Sequence, residues 1–420
     1  MPVGSDTLYG MEWIVANQPY FKIKVTQDGV YRLNYADLQA AGLPVTQTNG
    51  NQYQVFHMGK EIPIYVSSAA LPLKNNDYLE FVASKNRGEM DRFLFERPET
   101  DQLNPRYSLI SDTAAYFLTI VPSGNPTLRY QDQVNDWNNL PSKITTCRKT
   151  AAYVFSEQFN QTRYDFENLV AYSSYDMGEG FGSAFAAAKD LDFTLENLNT
   201  GNTPAQLTLR LCTNQAEFHR LRLRTLNSNA PNNPAGQWLL NDTLQRYELK
   251  AYTGQIAASS LSRNLKLRIE NLEGSGAAFT VAFAEIEYTA DFGFNRASAA
   301  RIQLEPQAQR SYYEITDFDG GLAPVLYFEN TLTRVVLEPL SDGKYRFTLP
   351  PLAQKTSVLL FNPGKALVTF PPLSPVVFAD YRNLDANYII ITHAKMRNDG
   401  QGRDYVEEYA AYRRSSQGGN

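Results

Sequence analysis

Cysteine and histidine are scarce in this chain of 420 residues: there are two cysteines, Cys147 and Cys212, and three histidines, His57, His219 and His393. Two cysteines cannot build a disulfide framework; they allow one bridge at most, and sequence does not decide whether it forms. No histidine or cysteine stands in a His-x-x-x-His or Cys-x-x-Cys pattern, so no zinc or other metal site is expected. No run approaches the roughly 18 apolar residues of a membrane span, and Met1 to Gly10 lacks the basic, apolar and small-residue order of a signal peptide. Charge of one sign is missing too. The 39 Lys and Arg against 44 Asp and Glu leave a net −5, which excludes a sequence-independent attraction to nucleic acid or to an anionic membrane.

What the chain has in quantity is aromatic and turn-forming residues: Tyr 26, Phe 23, Gly 25 and Pro 22. These favour strands and turns over helices, and the length allows about two to four domains. The expected fold class is mainly β, with two or three β-sandwich or β-rich domains, one of them jelly-roll-like, ending in an incomplete α/β unit. Residues 1–122 read as an N-terminal β-rich domain. Phe21 to Val25 and Val30 to Asn34 flank Asp28-Gly29 as a hairpin, and Tyr53 to Phe56 and Ile62 to Val66 flank Gly59-Lys60 as another. Tyr35 to Ala41 reads as a short helix closed by Gly42. Further strands are expected at Tyr78 to Val82 and Ala115 to Val121.

Residues 123–169 are polar and read as an irregular connector. Alternating runs at Leu191 to Leu198, Gln206 to Cys212, His219 to Leu226, Gln245 to Ala251, Leu265 to Asn271 and Phe279 to Tyr288 make 170–297 a jelly-roll-like sandwich. A small β domain follows over 298–377. In 378–420, Tyr388-Ile-Ile-Ile-Thr392 reads as a strand buried on both faces. A helix over Arg403 to Ser416 follows it, with acidic residues first, Arg413 and Arg414 last, and Gly418-Gly419 as the stop. One strand and one helix cannot bury their apolar faces alone, so the tail reads as part of a larger α/β unit, cut short.

The chemistry-bearing residues give no nucleophile with a paired base. His57 and His219 read as surface or strand-end residues, and His393 lies at the carboxyl end of an apolar strand without a nucleophile beside it. Cys147, between basic neighbours, reads as a connector thiol, and Cys212 as a structural thiol. Gly178-Glu-Gly-Phe-Gly182 does not have the spacing of a phosphate loop and reads as a turn. Asn227 to Asp242 reads as a solvated loop, with Ca²⁺ as the one cofactor its oxygens would suit.

Four segments together carry a resemblance: Pro19 to Leu33, Leu103 to Thr119, Tyr175 to Gly182, and Asp385 to Thr392 with Asp404 to Asn420. In this order they resemble the gingipain-like cysteine peptidases of Bacteroidetes, the long sortases of type IX secretion. The resemblance implies accessory β domains before a caspase-like peptidase domain, export to the periplasm, cell surface or outer membrane, and secreted clients or secretion-system components as partners. It also makes the rest of the peptidase domain a partner of this chain. The family's catalytic pair is a His, usually in Gly-His-Gly, and a Cys. The sequence has no Gly-His-Gly and no cysteine after Cys212, so no residue here inherits either role and the chain alone is expected to be inactive. A rival expectation is a binding or adhesion module, for glycan or protein, using an aromatic such as Trp238 rather than Trp13 or Trp137. A third is a pro-region that packs on the peptidase through the apolar tail.

Overall fold

The structure, a computed structural model, describes residues 12–161, 164–165, 170–171, 175–214, 218–226, 236–274, 276–321, 323–329, 331–380 and 388–418. The expectations for Met1 to Gly10, Asn227 to Ala235, Asp385 to Asn387 and Gly419 therefore lie outside the described residues. The protein is mainly β, with 47% of residues in strands against 9% in helices, as the turn-rich, aromatic composition requires. It divides into two compact units, Met1–Val376 and Val377–Asn420.

In the first unit, Tyr20–Val25 buries Phe21, Ile23 and Val25 and leaves Lys24 exposed, the period-2 pattern of a half-buried strand. It does not form a hairpin with Gly29–Asn34. Tyr20–Val25 pairs with Ala114–Ile120 and Ser374–Val376, whereas Gly29–Asn34 pairs with Tyr78–Ala83 in a separate three-stranded sheet. Ile23 and Val25 share one core with Tyr31, Leu33, Val55 and Phe81; two strands that face each other across a core stand in opposite layers, so Asp28-Gly29 is a corner. The second expected hairpin forms only in part: Tyr53–His57 turns one residue earlier than expected into the short strand Lys60–Ile62, while Tyr65–Val66 joins Tyr78–Ala83 in the three-stranded sheet. Met58 and Gly59, at φ 49° and 78°, supply the positive dihedrals of a two-residue loop that matches strand twist. The helix Tyr35–Ala40 is capped by Asn34, whose main-chain N–H donates to Asp37 at 2.9 Å, and Gly42 ends it at φ 85°.

The next layers share one nine-stranded sheet. Its strand order is Leu249–Ile256, Ala205–Thr213, Phe279–Asp291, Thr146–Val154, Ala299–Leu304, Thr356–Phe361, Val325–Phe328, Thr333–Val336 and Gln131–Asp132. A four-stranded sheet of Ala188–Thr194, Asn264–Asn271, Phe218–Leu226 and Trp238–Gln245 belongs with one half of it. A sheet of Gly293–Ala297, Ser311–Phe318, Lys344–Leu349, Glu338–Ser341 and Lys143–Ile144 belongs with the other. A single apolar cluster runs through both sandwiches, from Leu209, Leu223 and Ile269 to Phe347, Phe328 and Leu360.

Two sequence expectations fail here for identifiable reasons. Gln245 to Ala251 is not one strand: it straddles the turn by which the chain passes from Trp238–Gln245, an edge of the four-stranded sheet, to Leu249–Ile256, an edge of the nine-stranded one, with Arg246 at φ 21°. The polar segment expected to be irregular contains Thr146–Val154, a nine-residue strand in the interior of the large sheet. Its core-facing residues Cys147, Ala151 and Tyr153 are interrupted by Lys149, and Arg148, Thr150 and Ala152 alternate with them. That one lysine breaks the apolar period which identifies a strand.

The second unit contains the helix Tyr405–Arg413, shorter at both ends than expected. Asp404 caps it, accepting from the Val406 and Glu407 N–H groups at 3.1 and 3.0 Å. Tyr388 to Thr392 forms no strand among the described residues; Ile389 and Ile391 are 77% and 94% exposed. An apolar run becomes a strand only when a neighbour accepts and donates along its main chain, and no described segment pairs with this one.

Candidate functional site

The structure disperses the histidines. His57 closes its strand with its ring stacked on Tyr116, centroids 4.0 Å apart, and Nδ1 3.2 Å from the Ala115 carbonyl; burial lowers its pKa. His219, expected at the surface or at a strand end, is the second residue of the strand Phe218–Leu226 and is fully buried. Asn271 Nδ2 donates to its Nδ1 at 2.8 Å, which leaves the proton on Nε2, 3.1 Å from the Asn214 carbonyl. Both ring nitrogens are committed to structure. His393 caps the short turn Ala394–Met396, accepting from the Lys395 N–H at 3.1 Å.

Cys147 and Cys212 are free and buried. Burial pushes the Cys147 thiol up to about 12, although Lys149 favours the thiolate, so at neutral pH it is protonated and a poor nucleophile. Under native conditions at pH 8, iodoacetamide is expected to leave Cys147 unmodified, with full labelling after denaturation. Rapid native labelling, read by mass spectrometry, would reverse this assignment. Among the described residues no three His, Cys, Asp or Glu side chains are grouped to hold a metal. Of the loop considered for Ca²⁺, Trp238 to Asp242 belongs to a strand, and Asp242 is tied to Lys250.

The glycine-rich turn has a packing role. Gly180 runs against Leu103 and Asn104: a Cβ there would lie 3.3 Å from Leu103 Cβ, and one on Gly182 would meet Thr280 Oγ1 at 2.3 Å. Asn104 is buried, and its Nδ2 lies 3.1, 3.0 and 3.2 Å from the carbonyls of Phe155, Phe181 and Ala282. Two residues on, Arg106 grips Glu285 through two bonds of 2.9 and 3.0 Å. The segment following Leu103 thus clasps the N-terminal layers to the large sheet. Sequence reading singled out both stretches without finding that they touch.

A cleft of about 800 Å³ lies between the N-terminal layers and the exposed face of the nine-stranded sheet. Arg87, Arg106, Arg148 and Arg301 line it, with Tyr116 and Tyr130 in its wall. Each guanidinium is held by carboxylates. Arg87 and Arg301 share Asp28, Arg301 also reaches Glu329 at 2.6 Å, and Arg148 reaches Glu305 at 2.9 Å. Burial pushes the Tyr116 hydroxyl up to about 12, so it stays protonated. Paired charges, amides and hydroxyls equip the cleft to recognise a polar surface; no described histidine or cysteine lines it as nucleophile or base. Sequence reading found neither half of this cleft, because it took the segment of Arg148 for a connector and no local pattern places Arg148 or Arg301 opposite Arg87.

No family model matches the chain, and no curated protein matches it. The architecture defines a class, the mainly β chains that string β-sandwiches behind a β-rich N-terminal layer. Within that class it is similar to the dimeric latent PorU of Porphyromonas gingivalis, at TM-score 0.51 and 16% identity, over 86% of this chain and 33% of that chain. The likeness is one of fold, and this chain spans about a third of PorU's length. The β-porphyranase BpGH86A of Bacteroides plebeius (8% identity; 66% of this chain, 35% of that; TM-score 0.19) and the isomalto-dextranase of Arthrobacter globiformis (9% identity; 64% and 34%; TM-score 0.19) resemble it too weakly to carry an argument. Among the described residues no helix is long and apolar enough to cross a membrane.

Proposed function

We propose that this chain is the accessory, non-catalytic part of an exported gingipain-type cysteine peptidase of the PorU kind, acting at the cell surface in type IX secretion. The observation that supports it is the PorU fold over 86% of the chain, joined to the ordered segments from Pro19 to Asn420 that resemble the family. In this reading the β layers hold the protein's clients or secretion partners, and the unit from Val377 opens the caspase-like domain. Thiolate attack needs a cysteine beside a histidine base; Cys147 is buried and protonated, and the His219 nitrogens are occupied, so the dyad comes from sequence outside this chain. The purified chain is expected to leave Arg, Lys and other peptide reporters intact. Hydrolysis that disappears on Cys147→Ala or Cys212→Ala would overturn the reading. In cells, deleting this region from the parent protein is expected to leave type IX clients unprocessed, and normal processing would count against it.

One observation favours a second reading, a glycan-binding module. Trp238 is 48% exposed on the edge strand of the four-stranded sheet, with Arg222 and Arg224 at 5.4 and 5.3 Å from its ring. A glycan array whose hits vanish on Trp238→Ala would support it.

A further inference from the structure

The nine-stranded sheet is joined near its middle by a single residue pair. Thr146–Val154 pairs along its whole length with Phe279–Asp291, and Ala299–Leu304 along its whole length with Thr356–Phe361, but between these two neighbours only Arg148 stands opposite Gln303. Beyond that pair they part. No main-chain bond from any described segment reaches the free flank of Thr150 to Val154 or that of Ala299 to Ile302. Thr150, Ala152 and Val154 are exposed, while Ala151, Tyr153 and Ala300 lean on the sandwich core. Main-chain groups need a partner in water or in another chain, and an unpaired strand flank is a template for an added strand.

The fork opens into the cleft, whose lining includes Thr150, Ala152, Arg301 and Gln303. Tyr130 stands in the cleft wall and is 7% exposed. Its hydroxyl is not shut off from solvent as those of Tyr53, Tyr313 and Tyr327 are, so it points at the cleft. Among the described residues nothing bonds this hydroxyl, the Gln303 amide or the Thr150 hydroxyl. Four arginines and three glutamates line the site, a near balance that disfavours a strongly charged ligand. The Tyr116 ring is stacked on His57 and the Tyr130 ring packs on Tyr327; both are buried, so neither offers a face to a sugar.

We propose that an extended peptide of alternating polar and apolar residues pairs with the free flank of Thr150 to Val154 and adds a strand at the fork. Successive side chains of a strand take opposite faces. The polar ones meet Tyr130, Gln303 and the arginines; the apolar ones meet the side of Ala151, Tyr153 and Ala300. Main-chain bonds supply affinity and the two faces supply selectivity. That the peptide belongs to a secreted client rests on the reading above, whereas the pairing does not.

Hydrogen exchange of the full chain tests this, with the acetylated and amidated peptide Lys-Thr-Val-Thr-Val-Thr-Lys as probe. The flank amides of Thr150 to Val154 should exchange fast in the free chain and slowly with saturating peptide, while Ala205–Thr213 stays unchanged. Lys-Thr-Thr-Thr-Val-Val-Lys, of the same composition in blocks, should protect nothing. Tyr130→Phe removes a hydroxyl that nothing bonds, so it should keep the fold and weaken peptide binding about threefold to tenfold, the worth of one hydrogen bond. Flank amides already slow in the free chain, equal protection by the block peptide, or unchanged affinity in Tyr130→Phe would each overturn the proposal. Protection by cellohexaose in place of the peptide would do the same and mark a glycan cleft. Hydrolysis of peptide reporters by the purified chain would sink the accessory reading and leave this result standing; a chain that spares the reporters and gains no protection loses only the strand site.

Discussion

Asn104→Asp is expected to destabilise the first unit more than any other isosteric change. The carboxamide Nδ2 of Asn104 faces three main-chain carbonyls, of Phe155, Phe181 and Ala282, and its Oδ1 accepts from the Arg106 N–H at 3.0 Å. A carboxylate keeps the second contact and replaces the first three with acceptor against acceptor in a buried site. Losing buried donors costs about 1–3 kcal/mol per stranded group, and burying an unpaired charge costs more, so a loss of at least about 4 kcal/mol is expected. Asn104→Ala, which removes the donor without adding charge, should cost about 2–3 kcal/mol. The new carboxyl would have a folded pKa above its unfolded one. Its penalty is then full above the folded pKa and is relieved as pH falls through it, so Asn104→Asp should regain stability in mild acid while Asn104→Ala should not. Urea midpoints at two pH values read the difference; a deficit below about 1 kcal/mol at pH 7 would show that the clasp carries no weight.

Arg32→Met is the second large effect. Glu80 has a side chain only 1% exposed and is held by Arg32 at 3.0 Å, with the Arg334 cation also acting on it. Burial raises the Glu80 pKa against the pull of both arginines. Methionine in place of Arg32 fills much of the volume and leaves the carboxylate without its main partner, a loss of about 3–5 kcal/mol for a broken buried pair. The sign of the pH dependence is fixed by the raised pKa: the deficit is present above the folded pKa of Glu80 and shrinks as pH falls toward its unfolded value, where the proton removes the charge. Arg32→Met,Glu80→Leu, which removes both charges, should recover most of the stability at pH 7. A double variant as unstable as Arg32→Met would refute the pairing account.

Strands were legible where apolar residues fell on one parity, as in Tyr20–Val25 and Ala205–Thr213, because burial of one face imposes a period of two. A turn at Gly59 was legible because a tight loop needs positive dihedrals, though it lies at Met58-Gly59, one residue before the expected Gly59-Lys60. The corner at Asp28-Gly29 looked the same locally and was misread, since hairpin or corner depends on which layer each strand joins. Thr146–Val154 was missed because Lys149 sits among its core-facing positions. The candidate site was hardly legible. Arg87 and Arg301 lie far apart in the chain, and neither residue type is unusual on an exposed strand face.

Local sequence was enough to read a mainly β chain, the positions of most strands, and a helix in the tail, which forms over Tyr405–Arg413. These follow from local quantities: side-chain parity, dihedral demands of turns, and charge at the helix ends. Long-range packing was needed to show that one nine-stranded sheet serves both sandwiches, that Asn104 bonds three carbonyls, that His219 is buried and satisfied, and that Lys149 meets Asn197. Each of these joins residues remote in sequence, and pairing among many nearly equivalent apolar strands is selected by the packing of the whole core.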